Sequence, residues 1–176
     1  MKTKLGGEAL NIDDAANEIS KIVAAALLSY RENPALQPYL DEVINLMCRR
    51  MEVFVKPLVS KRARAKAMTL GLELTTWRQQ PKWDKGRKIF HLDPCFPVYM
   101  MKKQLLALAD PTPTNVKRTL KFTQVAWILK DEDRKLTCLG YRHSRQDWTR
   151  CYDEAKIELE ERRGVALQFE NHDLEA

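Results

Sequence analysis

Two positions apart, His91 and Asp93 hold the residue types most suited to proton transfer in this chain. On an extended strand both side chains leave by the same face. An imidazole beside a carboxylate is a general acid–base pair when it meets a substrate. Near a strand end the same pair more commonly makes an ordinary hydrogen-bonded contact, and that use is preferred. His143 lies among Tyr141, Arg142 and Arg145, where a phosphate or plain solvent would face it. Asp131, Glu132 and Asp133 raise the question of magnesium. No second acidic cluster follows at a defined spacing, so a solvated polar turn is the simpler reading. Cys95 stands between Pro94 and Phe96 with no activating base beside it. Cys48, Cys95, Cys138 and Cys151 form no CxxC pair, which argues for reduced, buried thiols over a zinc cage or a disulfide framework. GxGxxG and GxxxxGK[ST] are absent, so a nucleotide cradle has no support. No catalytic residue, metal or cofactor is assigned, and the expectation is a protein that is not an enzyme.

Charge is the stronger signal. The net charge is +6, but residues 56–88 alone carry ten basic and two acidic side chains. Residues 1–55 and 151–176 are net acidic, at −2 and −5, and residues 91–150 sum to +5. Within the basic stretch Lys61, Arg62, Arg64 and Lys66 surround a helix too fully to be packed on a core, because burying an unpaired charge is costly. Arg78, Lys82, Lys85, Arg87 and Lys88 continue the run, and Trp83 sits among them, placed to stack on an unpaired base. Lys117, Arg118 and Lys121 give a second basic helix face. Solvation, or pairing of these arginines with Glu154, Glu158 and Glu160, is the bland alternative.

The elements that must position these groups follow from periodicity. A chain of 176 residues with 44% hydrophobic content builds a real core and suits a single compact domain, 1–176, divisible into a helical part (1–80) and an α+β part (88–170). Ile12, Ala15, Ala16, Ile19, Ile22, Val23, Ala26 and Leu27 keep helical spacing. Leu40, Val43, Ile44, Met47, Met51 and Phe54 do the same. A helical hairpin over 11–55 follows, joined near Pro34. A third, basic helix is expected over 58–79. Alternation then predicts an antiparallel sheet from 88–92, 125–130 and 135–142, with helices 97–109, 115–122 and 145–163 packed on it. Asp131 to Arg134 would be the hairpin turn, Thr114 the cap of the helix at 115, and 165–169 an edge strand. The fold class is thus α+β, predominantly helical.

Helix, short turn, basic helix and hairpin is also the order of a winged helix-turn-helix, whose second helix enters the major groove. The acidic turn at 131–133 argues against a wing that touches phosphates.

The functional expectation is a DNA- or RNA-binding protein that holds the phosphate backbone with Lys61, Arg62, Arg64, Lys66, Arg78, Lys82, Trp83, Lys85, Arg87, Lys88, Lys117, Arg118 and Lys121. The competing expectation is a protein-interaction module that docks a partner or a second copy through 11–55. The longest apolar run, Ile22 to Leu28, is far too short for a bilayer, and the N-terminal residues lack a signal-peptide core. No membrane contact and a cytoplasmic location are expected.

Overall fold

The computed structural model describes residues 12–74 and 80–160. Helix α1 (Ile12–Glu32) and helix α2 (Gln37–Met51) fold back on each other across a single 3-10 turn at Pro34–Leu36. Small side chains let them approach: α1 buries Ala15, Ala16, Ala24 and Ala26 around Val23 and Leu27. The facing helix buries Ile44, Cys48 and Met51, one per turn. Helix α5 (Val98–Ala107) and helix α6 (Pro113–Leu120) close this first core with Met101, Leu105, Val116 and Leu120. The expected N-cap at Thr114 is instead Thr112, whose hydroxyl accepts from Asn115 N at 3.3 Å. Pro113 takes the first helical position, where its missing N–H costs nothing.

The remaining described elements surround a three-stranded mixed sheet in the order β1–β3–β2. Strand β3 (Val125–Leu129) is central, β1 (Leu58–Val59) runs parallel to it, and β2 (Phe90–Pro94) runs antiparallel. Four of the five β3 residues are buried. Ala126 and Ile128 enter one core with Leu136, Trp148 and Tyr152, whereas Trp127 enters another with Val59, Phe90 and Leu74. A strand covered on both faces reads as a continuous apolar run, and VAWIL does. Pro94 is tolerated because β2 is an edge strand.

Three further sequence expectations are corrected. The basic helix does not span 58–79. Leu58 and Val59 are strand residues, and helix α3 (Lys61–Thr69) ends as Gly71 takes a φ of +62°. Gly71 N reaches Met68 O at 3.1 Å and Leu72 N reaches Ala67 O at 2.9 Å, a glycine C-cap that stops the helix. Residues 75–79, with Arg78, lie outside the described residues.

The hairpin 125–130/135–142, and with it the wing of a winged helix, is also overturned. Lys130–Cys138 is helix α7. Asp131, Glu132 and Asp133 form its first turn, where carboxylates favour the positive end of the helix dipole. Glu132 is fully buried, and its Oε2 accepts from Leu129 N and Ser60 Oγ, each at 2.8 Å. Gly140 at φ +84° then ends the helix.

Of the long helix expected over 145–163, the described residues form only helix α8 (Trp148–Glu154), capped by Asp147 and ended by Lys156 at φ +55°, and 161–163 lie outside them. Beyond it Leu159 bridges to Ser60. The expected strand 165–169 falls outside the described residues. No described helix is long and apolar enough to cross a membrane.

The basic loop before β2 is held by its one acid. Helix α4 (Gln80–Trp83) leads to the buried Asp84, whose carboxylate accepts the backbone N–H groups of Lys88, Ile89 and Phe90 and the Gln80 amide. Asp84→Ala should therefore lower unfolding free energy by about 2–3 kcal/mol, since it strands several donors at once. Urea denaturation of both proteins measures this, and a loss below about 1 kcal/mol would show the loop to be held by other contacts.

Candidate functional site

Alternation along β2 sends His91, Asp93 and then Cys95 toward α7 and the segment between α7 and α8. Asp93 is buried, and so is Arg145, which reaches it from that segment. Arg145 grips the carboxylate with both terminal nitrogens, Nη2 to Oδ1 at 3.2 Å and Nη1 to Oδ2. Its Nη1 also donates to Pro94 O at 3.1 Å, and Nε to Tyr141 O. The Tyr152 hydroxyl donates to Asp93 Oδ2. Burial opposes the Arg145 charge, but the adjacent Asp93 carboxylate more than offsets it and raises the guanidinium pKa. Tyr152 is pushed well above its usual range by burial, with Cys95 and Asp93 adding to the shift. Burial likewise raises the Cys95 thiol, which leaves it a protonated core residue at neutral pH.

His91 lies just outside this pair. Its Nε2 is 3.9 Å from Asp93 Oδ1 and 3.7 Å from Asp133 Oδ1, beyond hydrogen-bond length. Its Nδ1 faces Lys130 Nζ at 3.2 Å. Desolvation lowers the His91 pKa, with Asp133 and Asp93 partly opposing and Lys130 reinforcing, so the ring is neutral at pH 7. The expected His91–Asp93 pair therefore exists in space, but Arg145 and Tyr152 already hold the carboxylate.

Two adjoining hollows of about 510 and 490 Å³ meet over this floor and share Arg49, His91, Pro94 and Lys130. The first extends to Arg50, Glu52, Gln80 and Arg87, and the second to Asp133, Arg142, His143 and Arg145. Six cationic side chains thus line a concavity with three carboxyl groups, Glu52, Asp93 and Asp133. Burial pushes Glu52 up to about 7, against Arg49 and with Asp93. Its Oε1 is buried without a hydrogen-bond partner.

The expected basic helix is differently placed. Lys61 pairs with Glu158 at 2.7 Å, Arg62 with Asp131 at 2.6 Å and Arg64 with Glu160 at 3.1 Å, while Lys66 is exposed. Lys121 pairs with Asp13 at 2.8 Å and ties α6 to α1; Arg118 is exposed and Lys117 half-buried. α3 packs on β3 but α6 on α1 and α5, so the two basic helices have separate neighbours. Trp83 packs edge-on against Phe90 at 5.5 Å and Trp127 at 5.6 Å, which makes its ring a core component. Lys82, Lys85 and Lys88 are exposed along the loop whose Arg87 lines the cleft. Of the cations that line the hollows, sequence reasoning placed only Arg87 in the site and missed Arg49, Arg50, Lys130, Arg142 and Arg145. The Arg49–Arg50 doublet in the last turn of α2 was the available signal. Comparison with family models, curated proteins and solved structures finds no match for this chain.

The raised Glu52 pKa has a signed consequence. The unfolded chain releases this proton near 4.5 and the native protein only near 7. Between those values the native state binds more protons, so the group's contribution to stability is lost as pH rises. Glu52→Gln should remove that slope: relative to the variant, the natural protein loses melting temperature from about pH 5 to about pH 8. Melting curves that run parallel for the two proteins would disprove it.

Proposed function

We propose that this protein is a non-enzymatic nucleic-acid-binding protein that holds phosphates in the cleft between the C-terminal end of α2 and the β2–α7 edge. One observation carries the reading: Arg49, Arg50, Arg87, Lys130 and Arg142 converge from four chain segments on two adjoining hollows, while Arg145 beneath them is committed to Asp93. A cation-lined cleft between low-dielectric walls concentrates the field that attracts a polyanion. Each neutralised phosphate releases counterions, which supplies sequence-independent affinity that falls with salt. Lys82, Lys85 and Lys88 extend the cationic surface along the adjoining loop. On α3, by contrast, Glu158, Asp131 and Glu160 lower the potential that Lys61, Arg62 and Arg64 would otherwise set up. DNA or RNA is the ligand class, and a cytoplasmic location accords with it.

A second reading, a protein-interaction module, is favoured by one feature. Ile22 and Leu28 of α1 and Tyr39, Val43 and Leu46 of α2 are exposed on the hairpin. Light scattering that shows a stable dimer, with no affinity for labelled oligonucleotides, would select it.

Fluorescence anisotropy with labelled single-stranded and duplex oligonucleotides at about 50 mM salt tests the first reading. Arg49→Glu with Arg50→Glu should weaken binding by about tenfold or more and flatten the salt dependence. Lys61→Glu should change it far less. No binding by the natural protein, or a larger loss from Lys61→Glu, would refute the cleft assignment.

A further inference from the structure

We propose that Nε2 of His91, Oδ1 of Asp93 and Oδ1 of Asp133 form a site for a divalent cation of the Mn²⁺ type on the cleft floor. This goes beyond the phosphate-binding reading and does not depend on it.

The three donors come from the edge strand β2 and the first turns of α7, and they lie within 4.8 Å of one another. Two of their separations, 3.7 and 3.9 Å, are too long for hydrogen bonds, so the groups converge without satisfying each other. With no separation above 4.8 Å, a point equidistant from the three lies within about 2.5 Å of each, a distance at which divalent cations are bound by protein donors. One imidazole with two carboxylates is a mixed nitrogen and oxygen set that suits Mn²⁺ better than Mg²⁺ or Ca²⁺. The outer support is in place. Arg145 and Tyr152 fix the buried Asp93 carboxylate, as hydrogen-bonded partners orient ligating carboxylates elsewhere. Three protein donors leave coordination positions open, and these face the hollow lined by Arg49, Arg142 and His143, where an oxygen of an anionic ligand completes the shell.

Two cations bear on the same donors. Arg145 offsets the Asp93 charge, and Lys130 Nζ lies 3.2 Å from His91 Nδ1. A ring whose Nε2 binds a cation carries its proton on Nδ1, where it meets the Lys130 ammonium donor to donor. Lys130, half-buried at the start of α7 on a flexible stem, must turn away. The ion and the ammonium therefore compete, which gives the proposal a signature that simple charge attraction lacks.

Mn²⁺ titration of the full chain, read by loss of the free-ion paramagnetic resonance signal, is the test. One saturable site is expected. Asp133→Asn should weaken it by about tenfold or more, and Lys130→Met should tighten it several-fold. Sub-stoichiometric Mn²⁺ added to the unaltered protein should broaden the His91 ring signals before those of the other two histidines, a readout that needs no variant to fold. Absence of saturable uptake at millimolar ion, equal affinity in Asp133→Asn, or earlier broadening of another histidine would overturn the site. Oligonucleotide binding by the unaltered protein in chelator is independent of these outcomes, so the two readings fail separately.

Discussion

The buried contact between Asp93 and Arg145 is the constraint on which the β2–α7–α8 region depends. Removing two charges from water costs several kcal/mol each, and their attraction recovers that only when geometry is good and the remaining donors and acceptors are used. Here they are. Arg145 binds both carboxylate oxygens, Pro94 O and Tyr141 O, and Tyr152 supplies a further donor to Asp93. The contact ties edge strand β2 to a loop more than fifty residues further along the chain and, through Tyr152, to the second half of α8. It also determines what His91 can be. Asp93 Oδ1 already accepts from Arg145 Nη2 at 3.2 Å and lies 3.9 Å from His91 Nε2, so the carboxylate meets the ring as an ion-paired group and not as a free base.

Two further buried acids work in the same way. Asp84 gathers the backbone N–H groups of the loop that leads into β2. Glu132 joins the end of β3 to Ser60, which itself caps α3. Each acid satisfies donors that would otherwise be stranded where several chain segments meet, and a stranded buried donor costs more than a hydrogen bond gains. Acids are thus consumed by structure on the inside of a basic region. A residue count records their charge but not their location.

That explains what could be read without coordinates. The helical hairpin, α5, α6 and the strand pair β2–β3 follow from periodicity of apolar residues, a local property. The segment 130–142 defeated the same logic, because KLTCLGYR alternates like a strand. What decides for α7 is the acidic triplet at the helix start, Leu136 under it and Gly140 at its end. The histidine–aspartate floor was half legible. His91 and Asp93 stand two apart, but Asp133 and Arg145 join them only through the antiparallel register of β2 on β3 and the return of the chain after α7. Pairing of the basic helix with Glu158 and Glu160 is the alternative that the charge pattern itself offers, and both acids do pair there, with Lys61 and Arg64; Asp131 as the partner of Arg62 was the unforeseen one, because it rests on α7 being a helix.

Linear density of charge and electrostatic potential are therefore different quantities in this protein. The most basic helix, α3, is lined by carboxylates brought back from distant segments, and screening over a Debye length of about 8 Å at physiological salt leaves little of its field beyond them. The cleft is built the other way round. Its cations are scattered singly and in one doublet across four segments, none conspicuous alone, and they share a concavity in which fields add. Its carboxylates include Asp93, already neutralised by Arg145, and Glu52, which holds its proton to about pH 7. The Asp93–Arg145 pair removes one charge of each sign and leaves five cations against two carboxyl groups, so it is the proton on Glu52, held to about pH 7, that makes the hollow more positive than its formal count. Where charges converge, and which of them survive pairing and burial, settles the surface on which a polyanion would act.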